Sequence, residues 1–338
     1  MSTVDANVEI AEDPVVAHGV ELTEARLARV GDVTVRRLLP LRLRRSVGAW
    51  CFVDHYGPMS VDGVAGMQVP PHPHIGLQTV TWLLAGDVLH RDSLGSEQMI
   101  RPGQLNLMTA GRGIAHAEES PVEHDPLLHG VQLWVALPDA LRRVEPSFEH
   151  HGELPGARLG GFAITVFMGD LAGARSPATA FSPIVGAELT AADHARARIP
   201  LDPAFEHVIF VAAGAAEVGA TATSTGRPTD TDTATGDDAG TCTSDGTAMG
   251  PGQLLYLGTG REHVEVTAAA GSTVFLLGGE PLGEPLLMWW NFVARTPEEI
   301  AAAAADWRAD RFGEVGGYRG ERLAAPPLIA ERLRAPRR

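Results

Sequence analysis

The strongest restriction on the fold of this chain is a series of short motifs that occurs twice, in the same order. Trp82-Leu83-Leu84-Ala85-Gly86 has a counterpart in Phe210-Val211-Ala212-Ala213-Gly214. Pro102-Gly103-Gln104-Leu105-Asn106-Leu107 recurs as Pro251-Gly252-Gln253-Leu254-Leu255-Tyr256-Leu257. Each copy then runs into a Gly-x-x-His-x-Glu pattern, Gly113 to Glu118 in the first half and Gly260 to Glu265 in the second. Pieces that keep their order mean one structural unit used twice.

That unit is β. From about Val33 to Phe167 the chain reads as short apolar and β-branched runs closed by turn residues, such as Val33 to Leu39, Trp50 to His55 before Gly57-Pro58, and Thr79 to Leu84 before Ala85-Gly86-Asp87. Many short strands at this spacing predict sandwiches or barrels rather than a βαβ fold. We therefore expect an all-β chain of two tandem β-barrels, over residues 20–165 and 166–320, with a short C-terminal helix. Thr296-Pro297-Glu298-Glu299 sets the helix start, with a capping Thr and Pro at the first helical position. Ile300, Ala304, Trp307 and Arg311 should share its face, and Gly313 suits its end. Residues 217–249 are nearly all Thr, Asp, Gly, Ala and Ser. Such a stretch cannot bury enough surface to offset its ordering entropy, and it is expected to be a mobile insert in a hairpin of the second barrel, with Cys242 exposed within it.

The length of 338 residues suits two ordinary domains. A net charge of −15 argues against duplex nucleic acid as a direct partner, since phosphate binding needs a basic surface. The basic tail Arg332 to Arg338 reads as a solvated terminus. Two distant cysteines, Cys51 and Cys242, offer neither a thiolate zinc site nor a disulfide framework. Met1 to Pro14 is acidic and lacks an apolar core, and no apolar run is long enough to cross a bilayer, so a cytoplasmic protein without membrane contact is expected.

Chemistry concentrates in His72-Pro73-His74 and in Thr109 to Glu118, where His116 and Glu118 also stand one residue apart. In a strand, residues i and i+2 share a face, so two such strands can aim three imidazoles and a carboxylate at one point. Pro73 keeps its strand extended, and Gly111 and Gly113 allow a sharp turn before His116. His72, His74, His116 and Glu118 are thus a candidate metal site, suited to Fe, Mn, Co, Ni, Cu or Zn, with coordination positions left open. The second copy keeps His263 and Glu265, but Pro200 and Asp202 stand where His72 and His74 would map, so that barrel is expected to be metal-free. Gln78, Asn106 and Gln132 could hydrogen-bond the ligands, but they read first as ordinary strand amides. Phe52, Trp82, Leu107, Met108 and Trp134 could wall an apolar pocket, and packing in the barrel core explains them equally well. His55, His90, His124, His129, His150 and His151 read as surface or loop residues.

The run His72 to Val80, the Asp92-Ser93-Leu94-Gly95 turn and the run Met108 to Glu118 together resemble the pirins, which are bicupins. Gln132 to Val135 with Leu137-Pro138, and Glu284-Pro285 with Trp289 to Val293, extend the resemblance over most of the chain. It implies two double-stranded β-helix barrels and one divalent metal per chain, usually iron(II), on His72, His74, His116 and Glu118. It implies a quercetin 2,3-dioxygenase-like oxidoreductase that opens a flavonol-type aromatic substrate, with Glu118 able to take the substrate's hydroxyl proton. The family's other activity is non-enzymatic metal or redox sensing through a transcription factor or metabolic enzyme. This chain departs at Ile75, Leu77 and Gln78, where pirins often carry Arg, Phe and Glu.

Overall fold

The computed structural model describes residues 9–10, 20–30, 33–42, 44–219 and 246–328. It is a bicupin. In the first barrel, one sheet runs Leu105–Thr109, Leu77–Ala85, Leu127–Ala136, Trp50–Ser60, and the facing sheet runs Gln68–His74, Ile114–Glu119, Val88–Asp92, Glu97–Ile100. The second barrel repeats both orders, with Gln253–Gly258, Glu206–Ala213, Ser272–Gly279, Ile184–Ala191 facing Ala195–Pro200, His263–Ala268, Ala216–Gly219, Thr247–Met249. The twofold motif series is therefore a twofold sheet topology. The strand Phe162–Leu171 pairs with Gly156–Leu159 and Ile184–Ala191, so it crosses the expected division at 165/166 as a single strand of the second barrel.

Burial explains why some strands alternate and others do not. Ala195–Pro200 is alternately buried and exposed, as expected with one face on a core and one in water. Leu77–Ala85 is buried on both faces along most of its length, because one face lines the barrel and the other meets the second barrel. There Val80 and Trp82 join Phe167, Phe210 and Phe275 in a core shared between the barrels. Trp50 Nε1 donates across the same boundary to the carbonyls of Val185 and Gly278, each at 3.1 Å.

Both ends of the chain cross over. Glu21–Glu24 pairs with Gln253–Gly258 of the second barrel. After the second barrel, the hairpin Leu287–Trp289 and Phe292–Ala294 and the helix Pro297–Arg308 return to the first, where Trp289, Phe292, Ile300 and Trp307 cover Ala115 and Ala117 on the outside of the Ile114–Glu119 strand. The helix starts as expected, with the Thr296 hydroxyl accepting from Glu299 N–H. The Glu299 carboxylate accepts in turn from Arg295 N–H, one residue ahead of the cap. The buried face is Ile300, Ala303, Ala304 and Trp307; Arg311 lies beyond the helix end and is exposed, which corrects its expected place on that face.

The expected insert is narrower than 217–249, because Glu217 and Val218 pair with Ala248 and Thr247 in the hairpin that flanks it. Positions 220–245, including Cys242, and the tail Arg332 to Arg338 lie outside the described residues. No described helix is long and apolar enough to cross a membrane.

Candidate metal centre

The site lies inside the first barrel on the sheet that carries Gln68–His74 and Ile114–Glu119. His116 stands directly opposite His72, and Ile114 opposite His74, with a bulge between His116 and Glu118. Gly111 makes the turn that feeds His116 into this register, at φ +51 with Val144 O only 2.0 Å from where a Cβ would stand. Only glycine fits there. The rings of His72, His74 and His116 have centroids 4.3 to 5.0 Å apart. One ligand nitrogen from each lies within 4.8 Å of the other two. The Glu118 carboxylate joins His116 and His90 in a second group of the same tightness.

Hydrogen bonds settle which nitrogen faces the centre. His72 Nδ1 is 2.9 Å from Pro70 O, and His74 Nδ1 is 3.0 Å from Asn291 O. A carbonyl only accepts, so both Nδ1 atoms carry the proton and both Nε2 atoms keep a lone pair. His116 Nδ1 faces His90 Nδ1 at 3.4 Å, and its buried Nε2 has no partner among the described residues. An unpartnered buried nitrogen beside two others with free lone pairs is the donor arrangement a metal requires.

Electrostatics agrees. Burial lowers His72 to about 4, and burial reinforced by the neighbouring imidazoles lowers His74 and His116 well below the usual histidine value. The rings are thus neutral at neutral pH and able to coordinate. Burial raises the Glu118 carboxyl above its ordinary range, opposed by His90 and by the 2.7 Å bond its Oε1 accepts from Thr81 Oγ1.

A cavity of about 900 Å³, mouth included, opens above the imidazoles. Phe52 and Trp134 stack at 4.0 Å on one side, and Trp290 and Asn291 from the returning C-terminal hairpin close another. Trp290 adopts φ +53, a backbone conformation disfavoured for a bulky residue. Beside the imidazoles, Glu118 and Asn291, polar side chains are few: the Arg37–Asp54 pair, Gln68, Gln132 and the Tyr56 hydroxyl, which has no hydrogen-bond partner among the described residues.

Several expectations need correction. His55, His90 and His129 are buried rather than at the surface: the strands of His55 and His129 are covered on both faces, while His90 lies on the inward face of a strand whose alternate residues are partly exposed. Of the candidates for pocket wall or barrel core, Phe52 and Trp134 reach the cavity; Met108 packs in the same cluster as these two without lining it, and Trp82 and Leu107 belong to the core between the barrels. No correction is needed for Gln78, which binds Thr109 and Thr179, or for Asn106, which binds His150: both are the ordinary strand amides they first read as. In the second barrel His263 faces Arg198 and Glu265 faces Arg196 on the outer surface, while Val264 and Val266 point into an aliphatic interior. The second Gly-x-x-His-x-Glu is thus an echo in sequence whose side chains fall on the opposite face of the sheet, the outcome of a slip by a single residue.

Arg37, Asp54, Tyr56, Trp290 and Asn291 have no spacing that marks them in advance. His90-Arg91-Asp92 does, since it repeats the i, i+2 pattern of the other two pairs.

Two barrels of the same sheet order, the first holding a buried imidazole cluster beneath an aromatic cavity, define a bicupin with a metal-type centre. Comparison with known proteins extends this. The pirin family model matches residues 32–135, and the model of the pirin C-terminal cupin domain matches residues 186–313. The chain belongs to the pirin family. It is 42% identical over 314 residues to a proposed quercetin 2,3-dioxygenase of Pseudomonas aeruginosa, spanning 92% of this chain and 91% of that protein. A pirin-like protein of Caulobacter vibrioides is 36% identical, over 90% of this chain and 98% of its own. The crystal structure of a quercetin 2,3-dioxygenase from Acinetobacter baumannii has a TM-score of 0.82 and 39% identity, covering 92% of this chain and 96% of that one.

Proposed function

We propose that this protein is a metal-dependent dioxygenase acting on a flavonol-type compound, with the metal, iron(II) in the preferred reading, in the first barrel alone. The observation that carries the proposal is the meeting of three neutral imidazoles, with their Nε2 atoms free, at the floor of an aromatic-walled cavity. The similarity to proteins named as quercetin 2,3-dioxygenases supports the substrate class.

His72, His74 and His116 hold the ion, and Glu118 completes the set. A bound divalent metal supplies Lewis acidity and open positions for dioxygen and a chelating hydroxy-ketone. Phe52, Trp134 and Trp290 form flat apolar walls that orient an aromatic ring system and exclude water. Tyr56, Gln132 and Arg37 provide polar contacts for ring hydroxyls. Glu118 is a ligand first. With its carboxyl raised by burial and one oxygen held by Thr81, it is also the group placed to accept the substrate's hydroxyl proton.

Oxygen consumption by iron-loaded protein with quercetin, measured beside the His74→Ala variant, tests the proposal. Metal-dependent uptake that the variant loses is the expected result. No uptake with any common metal or flavonol would reject the enzyme and leave a metal-sensing binding protein.

A further inference from the structure

We propose that Asp92 and His90 form an outer relay that fixes His116 in its metal-binding tautomer, and so act as positioning residues of this centre. The inference rests on the metal reading above. Three adjacent strands present His72 and His74, His116 and Glu118, and His90 and Asp92. Across the ladder Asp92 stands opposite His116, and His90 opposite Glu118. All six side chains are buried.

With His90 neutral, the hydrogen bonds along the relay fit one arrangement of protons. Asp92 Oδ1 accepts from the N–H groups of Leu94 and Ser96 at 2.9 and 3.0 Å, which anchors the carboxylate in the turn after its strand. Asp92 Oδ2 lies 3.1 Å from His90 Nε2. A carboxylate only accepts, so His90 carries its proton on Nε2 and offers a lone pair at Nδ1. That lone pair faces His116 Nδ1 at 3.4 Å, so His116 donates from Nδ1 and keeps Nε2 free for the centre. His72 and His74 reach the same state by donating to backbone carbonyls; His116 has a side-chain relay in their place.

The relay is also held rigid. The His90 ring stacks on Phe148, centroids 4.3 Å apart and planes within 15°. Ser93 N–H donates to Ala115 O, and Ser93 Oγ accepts from Ala115 N–H, which stitches the turn to the strand that carries His116. Outer partners that orient a ligating histidine in this way typically change metal affinity by about 10- to 100-fold when lost.

Asp92→Asn isolates the effect. Its Oδ1 still accepts from Leu94 and Ser96, but its NH₂ then meets the N–H of His90. To relieve that conflict His90 must move its proton to Nδ1, against the N–H of His116. The test is cobalt(II) titrated into the metal-stripped full-length chain, followed by calorimetry and by the ion's visible absorption. Asp92→Asn and His90→Leu are expected to weaken cobalt binding by about 10- to 100-fold. His90→Asn, whose Oδ1 takes the place of the accepting Nδ1, should restore binding close to wild type. Long-range proton–nitrogen correlation spectra of the metal-stripped protein should show His116 protonated at Nδ1 in the wild type and not in Asp92→Asn. A merely structural role would leave that tautomer unchanged.

Cobalt affinity equal in wild type, Asp92→Asn and His90→Leu would overturn the relay. So would a cobalt spectrum altered as strongly by His90→Asn as by His90→Leu, since His90 would then be a ligand itself. A wild-type chain that takes up no cobalt would bring down the metal reading and the relay together, a result distinct from variants that behave normally beside a competent wild type.

Discussion

At the scale of single residues, the centre's neutral charge state links metal binding to folding. Burial has already lowered His72 to about 4 and His74 and His116 further, so no proton need be displaced from these rings at neutral pH. Ligands that converge only in the folded chain make metal affinity part of folding free energy. Free metal at 100 times its Kd should stabilise the protein by about 2.7 kcal/mol. Chelation should therefore lower the melting temperature in calorimetry, and an unchanged melt after verified metal removal would break the link. The Arg37–Asp54 pair makes a different prediction. Its bonds of 2.8 and 2.7 Å are buried, and burial, opposed by Arg37, raises the Asp54 carboxyl. Arg37→Met strands a buried carboxylate and should cost about 3 kcal/mol or more in urea denaturation, most of it recovered when Asp54→Leu is added. The histidine pairs were legible in the sequence because the strand period places i and i+2 together. Arg37 and Asp54 were not, because partners on separate strands leave no spacing to read.

At the scale of elements, legibility follows how local the signal is. The C-terminal helix could be read from its cap, whereas its seat on the outside of the sheet that carries the imidazole cluster, and the hairpin that carries Trp290 and Asn291, depend on contacts from the far end of the chain. That hairpin docks closely. Val293 N–H donates to Ile75 O at 3.1 Å, and Gly76, at φ +69, has Val293 O 2.1 Å from where a Cβ would stand. Gly76→Ala would both strain a left-handed position and push against that backbone, for a loss of about 2 kcal/mol or more. The hairpin also supplies the Asn291 carbonyl that holds His74. Gly76→Ala should therefore lower thermal stability and cobalt affinity together. A stability loss with metal affinity intact would show that His74 keeps its orientation without the hairpin.

For the whole molecule, the sequence revealed two copies of one barrel but not how they are joined, because the joining face is made of residues that a single barrel would expose. His55 and His129 belong to it. Their Nε2 atoms are 2.8 Å apart, so one ring donates and the other accepts, and His129 also has a backbone hydrogen bond to Ala212 of the second barrel. The neighbouring charge is Arg36, which disfavours protonation of both rings. Burial, then His129 and Arg36, lower His55 from 6.5 to about 3, and burial with Arg36 lowers His129 to about 4. Between the unfolded and folded values the unfolded chain binds more protons, so stability is complete above about pH 6.5 and falls as the pH drops. His55 alone, fully buried, should account for about 2 kcal/mol between about pH 6.5 and pH 5. Other buried histidines titrate in the same window, so the decisive comparison is a slope. His55→Leu combined with His129→Leu removes both partners of their shared hydrogen bond but leaves the Ala212 backbone without the bond His129 makes to it, which should cost about 1–3 kcal/mol near neutral pH. The same double variant should flatten the decline toward pH 5 in denaturant titrations of metal-stripped protein. A double variant that loses stability as steeply as wild type would show that this pair does not make the junction of the barrels acid-sensitive.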